Sequence, residues 1–133
     1  MKVKMTAQEI FDTVVNGLRK QGKKSYRTSG DKQCVYRGID GCKCAAGFLI
    51  EDSEYAEWME GTIIDDLIFG DAADNYGPAV NTTPQSLVNR LRPHHALVAE
   101  LQLIHDVTYV ELWEDDFLRV AVSFNITYRP IHS

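Results

Sequence analysis

Apolar residues recur at helical spacing near the start of the chain. Between Thr6 and Gly22 they stand three or four positions apart, and polar residues occupy the other faces. Thr6 and Glu9 match the S/T-x-x-E capping box, and Gly22 is placed to end a helix. The pattern predicts an amphipathic helix with one face in the core. That face consists of Ile10, Phe11, Val14, Val15 and Leu18.

Two short β-prone segments follow this helix. Residues 25–27 and 34–37 carry Tyr, Val and Cys, and residues 28–33 between them are rich in turn-forming types. This order predicts a small antiparallel hairpin, which needs helices to pack on because an isolated hairpin is barely stable. The apolar segment 44–50 follows a tight turn and predicts a short buried helix that supports it.

The next part of the chain is patterned as two short helices. Ser53 can cap one that ends before Gly61, and Thr62 with Asp65 can cap a second that ends before Gly70. Each carries large apolar residues on one side, so each is expected to contribute to the core.

The last part of the chain predicts a loop and two longer helical stretches. Residues 71–83 combine Gly, Asn, Asp, Thr and Pro, which is typical of a loop. Pro84 begins a short helix, and residues 94–105 form a longer one. A second capping box at residues 108–111 begins a further helix, and residues 126–131 are expected to form an edge strand.

Together these patterns predict one globular domain over residues 1–133. We expect the α+β class, with five to six short helices packed around a small antiparallel β-hairpin. A chain of 133 residues with 44 % hydrophobic and 25 % charged residues can bury its own core without disulfides or metals.

The composition also bears on the cellular compartment. The sequence has no run of the roughly 20 apolar residues that a membrane-spanning helix needs. Three cysteines cannot form a complete disulfide set, which favours a reducing compartment. The spacing of Cys34, Cys42 and Cys44 matches no common zinc motif. We therefore expect a cytoplasmic protein with reduced cysteines, no metal and no cofactor.

Charge is strongly segregated along the chain. Residues 1–50 contain ten Lys and Arg against four Asp and Glu, which gives +6. Residues 51–75 contain nine acids and no base, which gives −9. These segments either form two oppositely charged surfaces for partners or neutralise each other within the fold.

Residues 34–50, with the sequence CVYRGIDGCKCAAGFLI, resemble a family of small bacteriophage and prophage proteins. Shorter matches at both ends extend the resemblance over most of the chain. Cys42 and Phe48 depart from the family pattern, since similar sequences tend to have an apolar residue and a second cysteine there. The resemblance implies an accessory protein that acts inside an infected bacterium, and it brings no catalytic residues.

One alternative is a small cysteine-dependent enzyme. Cys44 follows Lys43 and begins the apolar segment, and both a cation and a helix start lower the pKa of a thiol. His105 with Asp106 could supply the base and its orienting group. The competing interpretation is that Cys44 is a buried structural thiol.

A second alternative is a nucleic-acid-binding protein that uses the basic N-terminal half. The basic residues cluster around the end of the first helix and the predicted hairpin, with Tyr26 and Tyr36 between them. The sequence lacks a recognised nucleic-acid-binding motif. The cluster consists of Arg19, Lys20, Lys23, Lys24, Arg27, Lys32 and Arg37.

The preferred interpretation is a non-enzymatic phage accessory protein that binds and modulates a host macromolecule, for example a defence, transcription or repair component. The chain has no Gly-rich phosphate loop, nucleophile elbow or paired-carboxylate motif. We expect the partner, most simply a host protein, to bind the acidic segment and its aromatic residues. The candidate binding residues are Glu54, Glu57, Glu60, Tyr55 and Trp58.

Overall fold

The chain folds into helices joined by short turns. A computed structural model describes residues 1–30, 33–70 and 82–131. The α-helices are α1 (Ala7–Gln21), α2 (Ile64–Phe69), α3 (Gln85–Leu91), α4 (His95–Val107) and α5 (Trp113–Ser123). Single 3₁₀ turns cover Ile39–Gly41, Ala46–Leu49, Glu57–Met59, Arg92–His94 and Val110–Leu112. Within the described ranges, no helix is both long enough and apolar enough to cross a membrane.

The predicted hairpin is wrong, and with it the α+β class. The described residues contain no strand, and the two segments meet only in one isolated bridge between Tyr26 and Cys34. Two backbone hydrogen bonds flank that bridge, from Arg27 N–H to the Gln33 carbonyl and from Val35 N–H to the Ser25 carbonyl. The backbone donors that would extend the ladder past Val35 bond to a side chain instead. The N–H of Tyr36 donates to Glu60 Oε1 at 2.9 Å, and the N–H of Arg37 donates to Glu60 Oε2 at 3.1 Å. The described chain is therefore helical.

The edge strand predicted over residues 126–131 is also wrong. Ile126 N–H bonds back to the carbonyl of Ala121 at 2.8 Å, so the chain turns against the end of α5. Thr127 exchanges hydrogen bonds with the side chain of Gln8 on α1. This segment packs on helices through side chains and pairs with no strand among the described residues.

Helix α1 confirms its prediction. The Thr6 hydroxyl accepts a hydrogen bond from Glu9 N–H at 3.1 Å, and Glu9 Oε1 accepts one from Thr6 N–H at 3.0 Å. Gly22 ends the helix with a left-handed φ of 71°. The five predicted apolar residues are all buried. Local signals define this helix at both ends and on its core face.

The other predicted caps do not form. Helix α2 begins at Ile64, and neither Thr62 nor Asp65 caps it, although Gly70 ends it with φ 82° as expected. The Thr108 hydroxyl donates to Asp116, because a 3₁₀ turn separates it from the start of α5. The helix predicted after Ser53 is reduced to the turn Glu57–Met59. The predicted loop 71–83 lies outside the described residues, except for its last two positions.

The turn Ala46–Leu49 within the segment 34–50 packs on both α1 and α4. Helix α1 packs on the turn Ala46–Leu49 and on α4, and α4 also packs on α2 and α5. A Cβ atom at Gly47 would lie 2.3 Å from the carbonyl oxygen of Tyr36, and one at Gly38 would lie 2.4 Å from that of Tyr26. These two glycines therefore allow backbone segments to touch, which gives the most distinctive part of the sequence a structural role.

Candidate functional site

A cleft of about 360 Å³ opens beside the outer face of α4. Its walls come from residues 34–36, from the segment 60–65 and from α4. Ile63 and Leu103 stand on its rim with 66 % and 51 % of their surface exposed. Two large apolar side chains that face water across a concave surface are typical of a binding site.

The cleft is lined by acids and by no basic side chain among the described residues. Glu60, Asp65 and Asp106 all contribute to its surface. Bases border the cleft without lining it: Lys24 Nζ donates to the carbonyl oxygen of Asp106 at 3.2 Å, and Arg27 and Arg37 line an adjoining pocket that shares Glu60 with the cleft. The cleft therefore presents negative charge together with apolar surface, and it suits a ligand that carries the opposite charge.

His105 and Asp106 form a fixed pair at one end of the cleft. His105 is buried, and its Nδ1 lies 2.8 Å from Asp106 Oδ1. Its Nε2 lies 2.9 Å from the N–H of Ser25. Because a backbone N–H can only donate, Nε2 must be the acceptor, and the ring proton must sit on Nδ1 and face Asp106. Both ring nitrogens are thus used within the fold.

Cys34 joins this pair. The ligand atoms of Cys34, His105 and Asp106 all lie within 4.8 Å of one another, which is the spacing of a metal site. A metal on Nδ1 would force the ring proton onto Nε2, where it would meet the N–H of Ser25. The residues present are therefore arranged for hydrogen bonding and do not fit a metal ion.

The same contacts bear on the enzyme alternative. The cysteine grouped with His105 and Asp106 is Cys34, whereas Cys44 bonds to Gly47 and Gln102. Cys44 is buried, and burial raises the pKa of its thiol far above the usual value. Burial and the negative charge of Asp106 also raise the pKa of Cys34. Both thiols are therefore held in the protonated, weakly nucleophilic form.

Glu54, one of the predicted binding residues, lies in the interior. Its carboxylate pairs with Arg90, with Nη1 to Oε1 at 2.7 Å and Nη2 to Oε2 at 3.0 Å. The Ser86 hydroxyl and the Glu51 N–H also donate to it. The guanidinium of Arg90 also donates hydrogen bonds to the carbonyl oxygens of Lys2 and Leu49. This buried pair ties the chain start to α3 and leaves Glu54 inaccessible to a partner.

The other predicted binding residues are distributed between two environments. Glu60 accepts from the Tyr55 hydroxyl at 2.7 Å, and the ring of Tyr55 lies under the guanidinium of Arg37 at 4.5 Å. Burial and the bond to Glu60 raise the pKa of Tyr55 to about 12. Glu57 is exposed, and Trp58 is partly buried against the core. Among these residues, Glu60 lines the cleft, and Tyr55, Glu57 and Glu60 together line the adjoining pocket that contains Arg37.

Several members of the basic cluster bond to acids or carbonyl oxygens. Arg19 holds Glu114 through two bonds of 2.9 and 2.6 Å. Arg37 pairs with Asp52 at 2.6 Å, and Lys23 lies 3.9 Å from Asp40. Lys20 and Arg27 are exposed, and Lys32 lies outside the described residues. The ion pairs that Arg19 and Arg37 form with acids later in the chain neutralise part of the positive charge of the basic cluster.

No family model, curated protein or solved structure matches the chain. Its function is therefore inferred from the geometry and charge of the cleft. Sequence reasoning identified His105, Asp106 and Glu60 but missed the cleft itself. Cys34 and Asp106 stand far apart in the chain, and no spacing signal joins them. The exposure of Ile63 was also not predicted, because the helical pattern counts it among the apolar residues of its short helix.

Proposed function

We propose that the protein is a non-enzymatic accessory protein of a bacteriophage or prophage, which binds and modulates a host protein in the bacterial cytoplasm. The observation that carries this proposal is the cleft beside α4, where exposed Ile63 and Leu103 border an acidic surface. A concave patch of this kind works by contact with another molecule.

The contacts of the titratable groups favour binding over catalysis. A general base needs a ring nitrogen that can reach a substrate, and both nitrogens of His105 are bonded within the fold. A thiol nucleophile needs a lowered pKa, and burial moves the pKa of Cys44 in the opposite direction. The resemblance of residues 34–50 to phage proteins supports the cellular context.

The charge of the cleft favours a protein partner over nucleic acid. Phosphates bind where Lys and Arg are exposed, and a cleft lined by Glu60, Asp65 and Asp106 repels them. A protein surface that carries a Lys or Arg next to apolar side chains can pair with these carboxylates and also cover the apolar rim of the cleft. We therefore take the partner to be a host protein with a basic and partly apolar patch.

The test uses rim variants and a matched control. The double variant Ile63→Lys with Leu103→Lys places cations on both sides of the cleft. Val122→Lys makes the same change at a residue on α5 that is 74 % exposed and outside the lining of this cleft. Tagged proteins are expressed in the host bacterium, and the captured proteins are identified by mass spectrometry.

Captured proteins are then purified and their affinities measured. We expect one host protein to bind the wild type and Val122→Lys equally and to bind the double variant at least tenfold more weakly. Equal binding of all three would contradict the proposal. Nuclease-sensitive capture would instead support the nucleic-acid alternative. All three proteins should melt at similar temperatures, because the changed residues are exposed.

A further inference from the structure

The cleft continues along α4 into a second cavity of about 320 Å³. This second cavity lies between α4 and α5, and it is lined at its centre by Glu100, Arg119 and Phe124. Asp65 and Ala99 line both cavities. The two cavities therefore meet across one acid and one small side chain, and they form a single groove along the outer face of α4.

The groove has the length of a short peptide segment. Helix α4 has 13 residues, and at a rise of about 1.5 Å per residue it is about 20 Å long. An extended chain advances about 3.3 Å per residue, so about six residues would span the groove. An extended segment can place one side chain in each of two neighbouring cavities.

An unpaired acceptor lies where the two cavities meet. Asp65 Oδ1 has no hydrogen-bond partner among the described residues, although 47 % of the Asp65 side chain is exposed. The Nδ1 atom of His95 is 3.9 Å from it, which is too long for a hydrogen bond. This half-exposed carboxylate has no base within hydrogen-bonding distance among the described residues, so it favours a cationic group of a ligand at this point.

The two cavities of the groove differ in the charge of the residues that line them. The cavity beside Cys34 is lined by Glu60, Asp65 and Asp106, and no base joins them among the described residues. The second cavity mixes charges, since Arg119 and His95 lie there with Glu100. A cationic side chain is therefore favoured at the first cavity and not at the second.

We infer that this groove binds an extended segment of about six residues from a partner protein. A Lys or Arg of the segment lies near Asp106 and Asp65, and an apolar side chain packs between Ile63 and Leu103. This inference rests on the proposed function and specifies the partner: its contact region is a basic, partly apolar and extended peptide.

The test measures peptide binding by fluorescence polarisation. The probes are labelled hexapeptide pools with one Arg and two Leu at varied positions among Gly and Ser, and a matched pool with Glu in place of Arg. The first variant is Ala99→Trp, which fills the junction of the two cavities. The second is Asp65→Asn, which removes charge and changes volume very little. Val122→Trp is the control outside the groove.

We expect the wild type and Val122→Trp to bind the Arg pool at least tenfold more tightly than the Glu pool. Ala99→Trp should lose at least tenfold in affinity. Asp65→Asn should bind the Arg pool more weakly than the wild type, and its affinity should depend less on salt. This comparison tests the inference even if Ala99→Trp does not fold. Equal binding of both pools, or equal binding by wild type and Asp65→Asn, would overturn the inference. Host capture that depends on Ile63 and Leu103 without such peptide binding would reject the groove and leave the proposed function in place.

Discussion

At the scale of single residues, the charged side chains of Glu54 and Arg90 have a structural role. Arg90 bonds to Glu54, Leu49 and Lys2, and both charged side chains are almost fully buried. Removing one partner leaves the other charge unpaired in the interior. The pair therefore holds the chain start and the segment after residue 49 against α3.

Arg90→Met should destabilise the protein strongly. Breaking a buried ion pair costs about 3 to 5 kcal/mol, because the remaining charge is desolvated without compensation. Urea unfolding followed by circular dichroism measures the change. Arg129→Met is the matched control, since Arg129 is exposed and lies 3.6 Å from Asp12. An exposed pair of this kind contributes about 0 to 1 kcal/mol. Similar losses in both variants would show that Glu54 and Arg90 are not a buried pair.

The same pair predicts acid sensitivity. Burial alone would raise the pKa of Glu54, but bonds from Arg90, Ser86 and the Glu51 N–H outweigh it, and the pKa is lowered from 4.5. A carboxyl whose folded pKa is lowered stabilises the protein above its unfolded pKa, and this stabilisation is lost as the pH falls through the folded value. The free energy of unfolding should therefore fall between pH 6 and pH 3, and it should fall less in Glu54→Gln. Parallel curves for the two proteins would contradict this assignment.

At the scale of elements, the segment 34–50 acts as a packing unit. Tyr36 donates its hydroxyl to the carbonyl oxygen of Thr62, and the backbone of Tyr36 touches Gly47. The surrounding turns place Cys34 in the cleft wall. The most distinctive part of the sequence thus builds the scaffold of the site.

Gly47→Ala should disrupt this packing. The new Cβ would lie 2.3 Å from the carbonyl oxygen of Tyr36, and overpacking typically costs about 1 to 3 kcal/mol. Gly30→Ala is the control, because no atom lies within 4 Å of its added Cβ. Thermal unfolding should separate the two variants clearly. Equal melting temperatures would mean that the backbone contact at Gly47 can relax without cost.

The sequence was sufficient for elements defined by local signals and insufficient for those defined by distant contacts. Helix α1 has its cap, its end and its core face within its own residues. The predicted hairpin does not form, because the N–H of Ser25 donates to His105 and the N–H of Tyr36 donates to Glu60. Strand propensity does not reveal that a side chain far along the chain will take a backbone donor. The cleft was missed for the same reason.

At the scale of the whole molecule, part of the charge that is segregated along the sequence is neutralised within the fold. Arg37 from the basic segment pairs with Asp52 from the acidic one, and Glu54 turns inward to Arg90. The acids that line the cleft come from two regions, the segment 60–65 and the end of α4. Of the acids predicted to bind a partner, Glu54 is therefore buried, whereas Glu57 stays exposed and Glu60 lines the cleft.

Hydrogen exchange of the free and partner-bound protein, followed by mass spectrometry, locates the binding surface without mutation. We expect amides of residues 60–65 and of the outer face of α4 to exchange more slowly in the complex, since a ligand in the cleft covers them. The amides of α1 should be unchanged. Slower exchange confined to the basic segment around residues 19–27, with none at the cleft, would contradict the account.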